Sequence, residues 1–163
     1  MTGGYCGKQK GYTGNDDYIT KKEDWEAIQH FIPKDKIIYE PFYCDGKSGE
    51  ILRELGCRNV IHEDIDFFTN TFEYDYIISN PAFSLKKKIM EKLYEIDKPF
   101  ILIMPMEVMT YKYFKKWGNK IQIIVPKKTM DFYDKNGNLK KFNFDCFYFC
   151  YKMNLPRDII YLT

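Results

Sequence analysis

Short apolar runs alternate with stretches of helical periodicity along most of this chain. Each apolar run is too short for an ordinary helix and is bounded by turn-forming residues, which is typical of buried strands. The predicted strands occupy residues 36–39, 59–62, 75–79, 99–104, 120–125 and 144–152. The predicted helices occupy residues 20–31, 49–55, 84–96 and 110–117. Strand and helix therefore follow one another in regular order.

Local signals define the first two helices. Thr20 followed three residues later by Glu23 forms a capping box, which predicts the start of the first helix. Pro33 ends that helix because proline cannot continue the backbone hydrogen bonds. Gly56 lies where a left-handed residue would close the second helix.

The alternation predicts a single α/β domain with a mostly parallel sheet and helices on both faces. The last two strands have no helix between them, so we expect them to form an antiparallel pair at one edge. Residues 1–15 contain five glycines without periodicity and are predicted to form a flexible arm. The domain is predicted to span residues 16–163.

Composition narrows the classes of protein that remain. At 163 residues, with 45% hydrophobic residues, the chain is long enough for one globular core. It has no apolar run near the roughly 20 residues of a membrane span and no secretory signal at its start. The five cysteines are irregularly spaced, which favours reduced thiols in an intracellular, non-secreted protein. His30 and His62 share no ligand spacing with a cysteine, so no metal site is predicted.

Charge is unevenly distributed although the net charge is only +2. Residues 85–128 contain 11 lysines against 4 acidic residues. Such a block is either a solvated helix face or a patch that meets phosphates. Because it begins directly after the polar segment 79–83, we favour phosphate contact and predict that Lys86, Lys87 and Lys88 bind substrate.

Three polar loops follow three of the predicted strands, and parallel strands bring their carboxyl ends to one crevice. The first loop, residues 40–49, contains Gly46, which would allow the close backbone approach that a nucleotide-like cofactor needs. The spacing of a P-loop is missing, and a plain strand–turn–helix connection is the alternative interpretation.

The second loop carries the acidic residues Glu63, Asp64 and Asp66, followed by Phe67. A carboxylate here can accept hydrogen bonds from both hydroxyls of a ribose, although acidic residues also simply solvate exposed loops. Only 11 residues separate Asp64 from Tyr76, so the helix and third strand usual at this point must be abbreviated or absent.

The third loop reads Ser-Asn-Pro-Ala-Phe at residues 79–83. The amide oxygen of Asn80 and a backbone carbonyl held by Pro81 can both accept hydrogen bonds from one exocyclic amine. That geometry makes the amine nitrogen more nucleophilic, and Phe83 would stack on the base that carries it. The alternative is an ordinary turn that ends a strand.

Together these segments resemble class I S-adenosylmethionine-dependent methyltransferases, and in particular small phage- and virus-type N6-adenine methyltransferases. The family's loop Asp/Asn/Ser-Pro-Pro-Tyr/Phe corresponds to Asn-Pro-Ala-Phe at residues 80–83. Its cofactor loop Asp-Pro-Phe-x-Gly-x-Gly corresponds to Glu-Pro-Phe-Tyr-Cys-Asp-Gly at residues 40–46. Its N-terminal Tyr and Thr correspond to Tyr18 and Thr20. The resemblance spans roughly residues 17–152 and implies a Rossmann-like methyltransferase domain with a sheet of seven-stranded type.

The resemblance also implies a role for each matching residue. The residues implied to bind the target base are Asn80, Pro81 and Phe83. Those implied to hold the cofactor S-adenosylmethionine are Tyr18, Thr20, Glu40, Pro41, Phe42, Asp45, Gly46, Glu63, Asp64, Asp66 and Phe67. The implied chemistry is an in-line displacement at the sulfonium methyl group, which needs no metal and depends mainly on placement.

Three positions depart from the family pattern. Ala82 replaces the second proline, Cys44 replaces a glycine, and Glu40 is one methylene longer than the usual aspartate. None removes an acceptor, but together they are compatible with a weakened or silent enzyme.

The expected function is methyl transfer to the N6 amine of adenine in nucleic acid, with DNA favoured and RNA as an alternative. Two other functions stay open: a catalytically silent module that binds cofactor or nucleic acid, and methylation of a cytosine amine or a protein glutamine. The chain is too short for a separate target-recognition domain. Target recognition therefore falls to short loops, the N-terminal arm, a second copy or a partner subunit, and we expect no membrane partner.

Overall fold

A computed structural model of the chain describes residues 18–140 and 144–163. The arm predicted at residues 1–15 lies outside the described residues. The four α-helices are α1 (Lys22–Glu26), α2 (Lys47–Glu54), α3 (Lys86–Ile96) and α4 (Lys112–Lys115). The first five strands are β1 (Ile19–Thr20), β2 (Ile37–Tyr39), β3 (Asn59–Ile61), β4 (Tyr76–Ser79) and β5 (Phe100–Pro105). The others are β6 (Ile121–Val125), β7 (Phe132–Tyr133), β8 (Leu139–Lys140), β9 (Cys146–Tyr151) and β10 (Ile159–Tyr161).

The main sheet contains seven strands in the order β10-β6-β9-β5-β4-β2-β3. Every neighbouring pair is parallel except the two pairs made by β9. The predicted α/β class with a mostly parallel sheet is therefore confirmed, and this architecture is compatible with a Rossmann-like fold.

The antiparallel pair is confirmed, but its predicted place at the sheet edge is wrong. β6 and β9 are antiparallel, with Ile123 opposite Phe149. β10 then adds a parallel strand outside β6, with Ile160 opposite Ile124. The short apolar segment that forms β10 follows a turn around Pro156, and three residues carry too little periodicity to indicate a strand.

A small second sheet, in the order β1-β7-β8, also departs from the prediction. Thr20 was expected to cap the first helix, but it lies in β1 opposite Phe132. The helix starts at Lys22 without a side-chain cap. Because the pairing with β7 is a tertiary contact, the local sequence alone could not show that it outweighs the capping box.

The connection between β3 and β4 is shortened as predicted. Residues 62–75 form neither a helix nor a strand. Instead Asp66 organises a tight turn, in which its carbonyl oxygen accepts hydrogen bonds from the backbone N–H groups of Thr69 and Asn70. β3 therefore forms one edge of the sheet.

Two apolar layers cover the faces of the sheet, and β5 contributes to both. Phe100 and Leu102 pack into one layer, whereas Ile101 and Ile103 pack into the other, as the alternation of a strand requires. Trp117 is buried against Phe100, with 5.2 Å between the ring centroids. Across the described ranges 18–140 and 144–163, no helix combines the length and the apolar character needed to cross a membrane.

Candidate functional site

The site lies where the order of the strands reverses. β2 pairs with β3 on one side and with β4 on the other, and the chain runs from β2 through β3 before it returns to β4. The carboxyl ends of β2 and β4 therefore diverge into different connections, and in open α/β sheets ligands bind in the crevice at such a switch point. Glu40 follows β2, while Ser79 and Asn80 end β4.

Glu40 joins the two loops at this crevice. Its side chain is 1% exposed, and Oε1 accepts hydrogen bonds from the Ser79 hydroxyl at 2.5 Å and the Phe42 backbone N–H at 3.0 Å. Burial raises the pKa of Glu40 to about 8, although these hydrogen bonds and the backbone N–H of Asn80 act in the opposite direction. The carboxyl group is therefore largely protonated at neutral pH.

The glycine-bearing turn after β2 has the backbone conformation that a close approach requires. Gly46 has φ of +82°, and a Cβ there would lie 2.9 Å from the Tyr43 hydroxyl. Cys44 also has a left-handed φ, of +50°, which non-glycine residues rarely adopt. Asp45 Oδ1 accepts a hydrogen bond from the Lys47 backbone N–H, so its carboxylate closes the turn at the start of α2.

His62 belongs to the framework of this turn, although the sequence analysis gave it no role. Its Nδ1 donates a hydrogen bond to the Glu40 carbonyl oxygen at 2.8 Å. The centroid of its ring lies 4.9 Å from the centroid of the Tyr43 ring. A Cβ at Gly49 would lie 2.6 Å from the imidazole, so this close contact requires glycine. Burial lowers the pKa of His62, which keeps the ring neutral. The sequence feature that could have indicated this role is the position of His62 at the end of a strand, beside an acidic run.

Asn80, Pro81 and Phe83 are all buried in the third loop. The Asn80 side-chain amide donates a hydrogen bond from Nδ2 to the Tyr18 carbonyl oxygen at 2.7 Å. The Phe83 ring stacks on the Tyr18 ring with centroids 5.2 Å apart and planes at 27°. Phe132 of the small sheet also contacts Phe83, edge to face. Tyr18 therefore covers one face of the ring that the sequence predicts would stack on a base.

Thr20 and Asp45, two of the residues expected to hold cofactor, line one cavity of about 350 Å³. Residues 19–22, Lys47 and Ile51 of α2, and the turn between β7 and β8 also line it. The Thr20 side chain is 3% exposed, and its hydroxyl has no hydrogen-bond partner among the described residues. A buried hydroxyl without a partner is costly, so this atom is suited to receive a polar ligand group.

The acidic loop after β3 contacts the glycine-bearing loop after β2 through aromatic rings. Phe67 and Phe42 are both buried, and their ring centroids lie 5.6 Å apart. Both rings therefore belong to the core. Asp66 Oδ1 accepts a hydrogen bond from the Phe68 backbone N–H at 3.0 Å. Glu63 is exposed and Asp64 is partly exposed at the rim of the loop.

The three lysines that follow the Asn-Pro-Ala-Phe segment begin α3. Lys86 Nζ donates a hydrogen bond to the Phe83 carbonyl oxygen at 3.3 Å, which ties the helix to the loop. Lys88 Nζ lies 4.1 Å from the centroid of the Phe68 ring, and Lys87 is exposed. In the described part of the chain, no His, Cys, Asp and Glu side chains are grouped so as to hold a metal ion.

The contacts connect all four predicted motif segments. Glu40 links the loop after β2 to the loop after β4, and Phe42 links the loop after β2 to the loop after β3. Tyr18, directly before β1, links the N-terminal segment to the loop after β4. No family model matches this chain, and no curated protein is significantly similar to it. The arrangement brings a buried carboxyl group, a glycine-bearing turn and an Asn-Pro loop to the switch point of the sheet.

Proposed function

We propose that the chain transfers a methyl group from S-adenosylmethionine to the N6 amine of adenine in nucleic acid. The observation that carries the proposal is the buried hydrogen bond between Glu40 and Ser79. It joins the loop that resembles a cofactor loop to the loop that resembles a target-amine loop, at the switch point of the sheet.

The residues at the crevice fit the methionyl half of the cofactor. A buried carboxyl group suits a cationic amine, and Glu40 is the buried acid nearest the glycine turn. The Thr20 hydroxyl offers a polar atom without a partner among the described residues. Position 44, which the family fills with glycine, has a left-handed backbone here, so the turn keeps a glycine-like geometry around a cysteine.

S-adenosylmethionine supplies an electrophilic methyl group on a sulfonium ion. Asn80 would accept a hydrogen bond from the target amine through Oδ1, because Nδ2 is the end of the amide that donates to Tyr18. The Pro81 carbonyl would accept the second amine proton, and the burial of this turn fixes both acceptors. Phe83 would hold the base by stacking once Tyr18 has moved away.

The direct test is to incubate the chain with labelled S-adenosylmethionine and adenine-containing DNA or RNA, and to identify the labelled nucleoside by mass spectrometry. We expect label in N6-methyladenine and a loss of about 100-fold in Asn80→Ala, the scale seen when a group that contacts the transition state is removed. Asn119→Ala is the matched control, because Asn119 is exposed before the amino end of β6, away from the carboxyl ends of β2 and β4. Label in methylcytosine or in protein glutamine would identify a different acceptor.

Calorimetry tests the cofactor independently of turnover. If the cofactor's cationic amine binds beside Glu40, it should lower the pKa of this carboxyl group, which burial raises to about 8. Binding at pH 7 should then release a proton, which appears as a dependence of the measured heat on the ionisation enthalpy of the buffer. Glu40→Gln should bind more weakly and release no such proton.

The contact between Tyr18 and Phe83 favours a second candidate, a silent module that binds cofactor or nucleic acid. In this conformation the target-base position is filled by a side chain of the same chain. Cofactor binding with a released proton, but without label in any nucleic acid, would support the silent module.

A further inference from the structure

We propose that the groove between α3 and α4 binds single-stranded nucleic acid. This inference rests on the proposed function, and it deepens it by naming the form of nucleic acid that reaches the Asn-Pro-Ala-Phe loop. The groove encloses about 630 Å³. It is lined by Lys87, Glu91, Tyr111, Lys112, Tyr113 and Lys116.

The charge of the groove suits a phosphate chain. Lys87, Lys112 and Lys116 are exposed in the groove, and Glu91 is the single acidic residue among the six that line it. Lys86, Lys87 and Lys88 also occupy the first turn of α3, which contains no acidic residue. The helix dipole disfavours cations at that end, so these lysines do not optimise the helix and instead add to a positive surface.

Two tyrosines supply aromatic faces beside these charges. The ring centroids of Tyr111 and Tyr113 lie 5.5 Å apart, and the ring planes make an angle of 38°. Both side chains are partly exposed, and the Tyr113 hydroxyl is buried without a hydrogen-bond partner among the described residues. Aromatic faces that alternate with lysines are typical of surfaces on which unpaired bases stack while the backbone follows the charges.

The groove lies beside the backbone of the Asn-Pro-Ala-Phe loop. Lys86 Nζ lies 6.0 Å from the Tyr111 ring centroid and also donates a hydrogen bond to the Phe83 carbonyl oxygen. One side chain therefore connects the wall of the groove to the loop expected to hold the target base. A strand in the groove would therefore run beside the backbone of this loop.

The aromatic lining favours a single strand over a duplex. Bases in a duplex stack on one another, and their faces are not available to Tyr111 or Tyr113. A duplex could contact only the lysines. An unpaired strand can use the lysines and the rings together, and its target base does not have to be extracted from a helix at a cost of a few kcal/mol.

The test is fluorescence anisotropy with a labelled oligonucleotide of about 12 nucleotides, as a single strand of DNA or RNA and as the annealed duplex. No S-adenosylmethionine is present. We expect tighter binding of the single strands than of the duplex. The comparison of DNA with RNA shows which of the two nucleic acids the groove prefers. In Lys112→Ala/Lys116→Ala, the slope of log affinity against log salt should shrink by about 1.4, or about 0.7 for each lost phosphate contact. Lys36→Ala/Lys120→Ala is the control, because both lysines are exposed and neither lines the groove.

Stacking is tested separately at Tyr111. Tyr111→Leu should weaken single-strand binding by about fivefold or more, whereas Tyr111→Phe should bind as the original chain does. Circular dichroism and thermal unfolding establish that both variants are folded.

Equal or tighter binding of the duplex would overturn the inference, as would groove variants that bind like the control pair. These outcomes are distinct from failure of the proposed function. Groove-dependent binding without methyl transfer would leave the inference standing and remove the enzyme. Methyl transfer by the chain, together with groove variants that bind like the control pair, would leave the proposed function standing and remove the groove inference.

Discussion

At the scale of single residues, the protonation of Glu40 has a measurable effect on stability. Burial raises its pKa from 4.5 to about 8 in the folded chain, so between these values the folded state holds a proton that the unfolded state releases. The free energy of unfolding should therefore fall as the pH rises from about 4.5 to about 8, by up to about 1.4 kcal/mol per pH unit, and level off above.

Glu40→Gln keeps the shape and the acceptor oxygen of the side chain but cannot ionise. Urea denaturation across this pH range should show a weaker pH dependence in the variant than in the original chain. Asp24, whose pKa burial raises to about 6, titrates in both proteins, so the difference between them isolates Glu40. Identical pH profiles would show that the carboxyl group is not buried as described.

At position 44, glycine should give a more stable protein than alanine, which is the reverse of their usual order in a helix. At its φ of +50°, a side chain costs about 1 kcal/mol, so Cys44→Gly should be more stable than Cys44→Ala by about that amount. At the exposed helical position Glu50, alanine should instead be the more stable by about 1 kcal/mol. Thermal unfolding of the four variants measures both differences, and the same ranking at both positions would contradict the left-handed geometry.

The sequence predicted the acids, the glycine and the Asn-Pro turn at strand ends, because residue type and strand position are local properties. It did not predict that Phe67 would be enclosed with Phe42, or that Ser79 would hydrogen-bond to Glu40. Both contacts depend on how β2, β4 and the loop after β3 are arranged in space. His62 was set aside as a metal ligand, and the framework hydrogen bond that it makes was not foreseen.

At the scale of elements, the small sheet positions Tyr18 over Phe83. Tyr18 directly precedes β1, and β1 pairs with β7, whose Phe132 contacts both rings. The stack is expected to contribute about 0.5–1.5 kcal/mol beyond burial, so it must be broken before a base can occupy the same face.

Tyr18→Ala should therefore bind an adenine-containing oligonucleotide several-fold more tightly, because the competing ring is gone. Tyr18→Phe retains the ring and should bind as the original chain does. Fluorescence titration measures both affinities, and circular dichroism checks the fold of each variant. Weaker binding by Tyr18→Ala would mean that Tyr18 supports the ligand rather than competes with it.

Elements of the main sheet were easier to predict from sequence than those of the small one. The strands from β2 to β6 lie within about one residue of their predicted bounds, because each combines an apolar run with turn residues. β1, β7 and β8 are two residues long, and such elements are defined by their partners rather than by periodicity.

At the scale of the whole molecule, β10 should stabilise the sheet. Its pairing with β6 is extended by the hydrogen bond from the Ile123 N–H to the Asp158 carbonyl oxygen. Ile160 of β10 and the following Leu162 pack against the apolar core. Ending the chain before residue 158 should lower the free energy of unfolding by about 1–3 kcal/mol through lost burial.

Urea denaturation compares this truncation with Tyr161→Ser, a change at a side chain that is 71% exposed. The substitution should stay within about 0.5 kcal/mol of the original chain. A truncated chain as stable as the full one would show that β6 tolerates being an edge.

The lengths of the strands also bear on how copies of this protein meet at high concentration. The two outer strands, β3 and β10, are three residues long, whereas β5 and β9 in the interior have six. The sheet is thus tapered, and each rim presents only a few open backbone groups to a neighbour. Short rims are a recognised protection against strand-by-strand stacking into fibrils. This protein should accordingly resist amyloid-like growth although its interior strands are long, apolar and rich in aromatic residues.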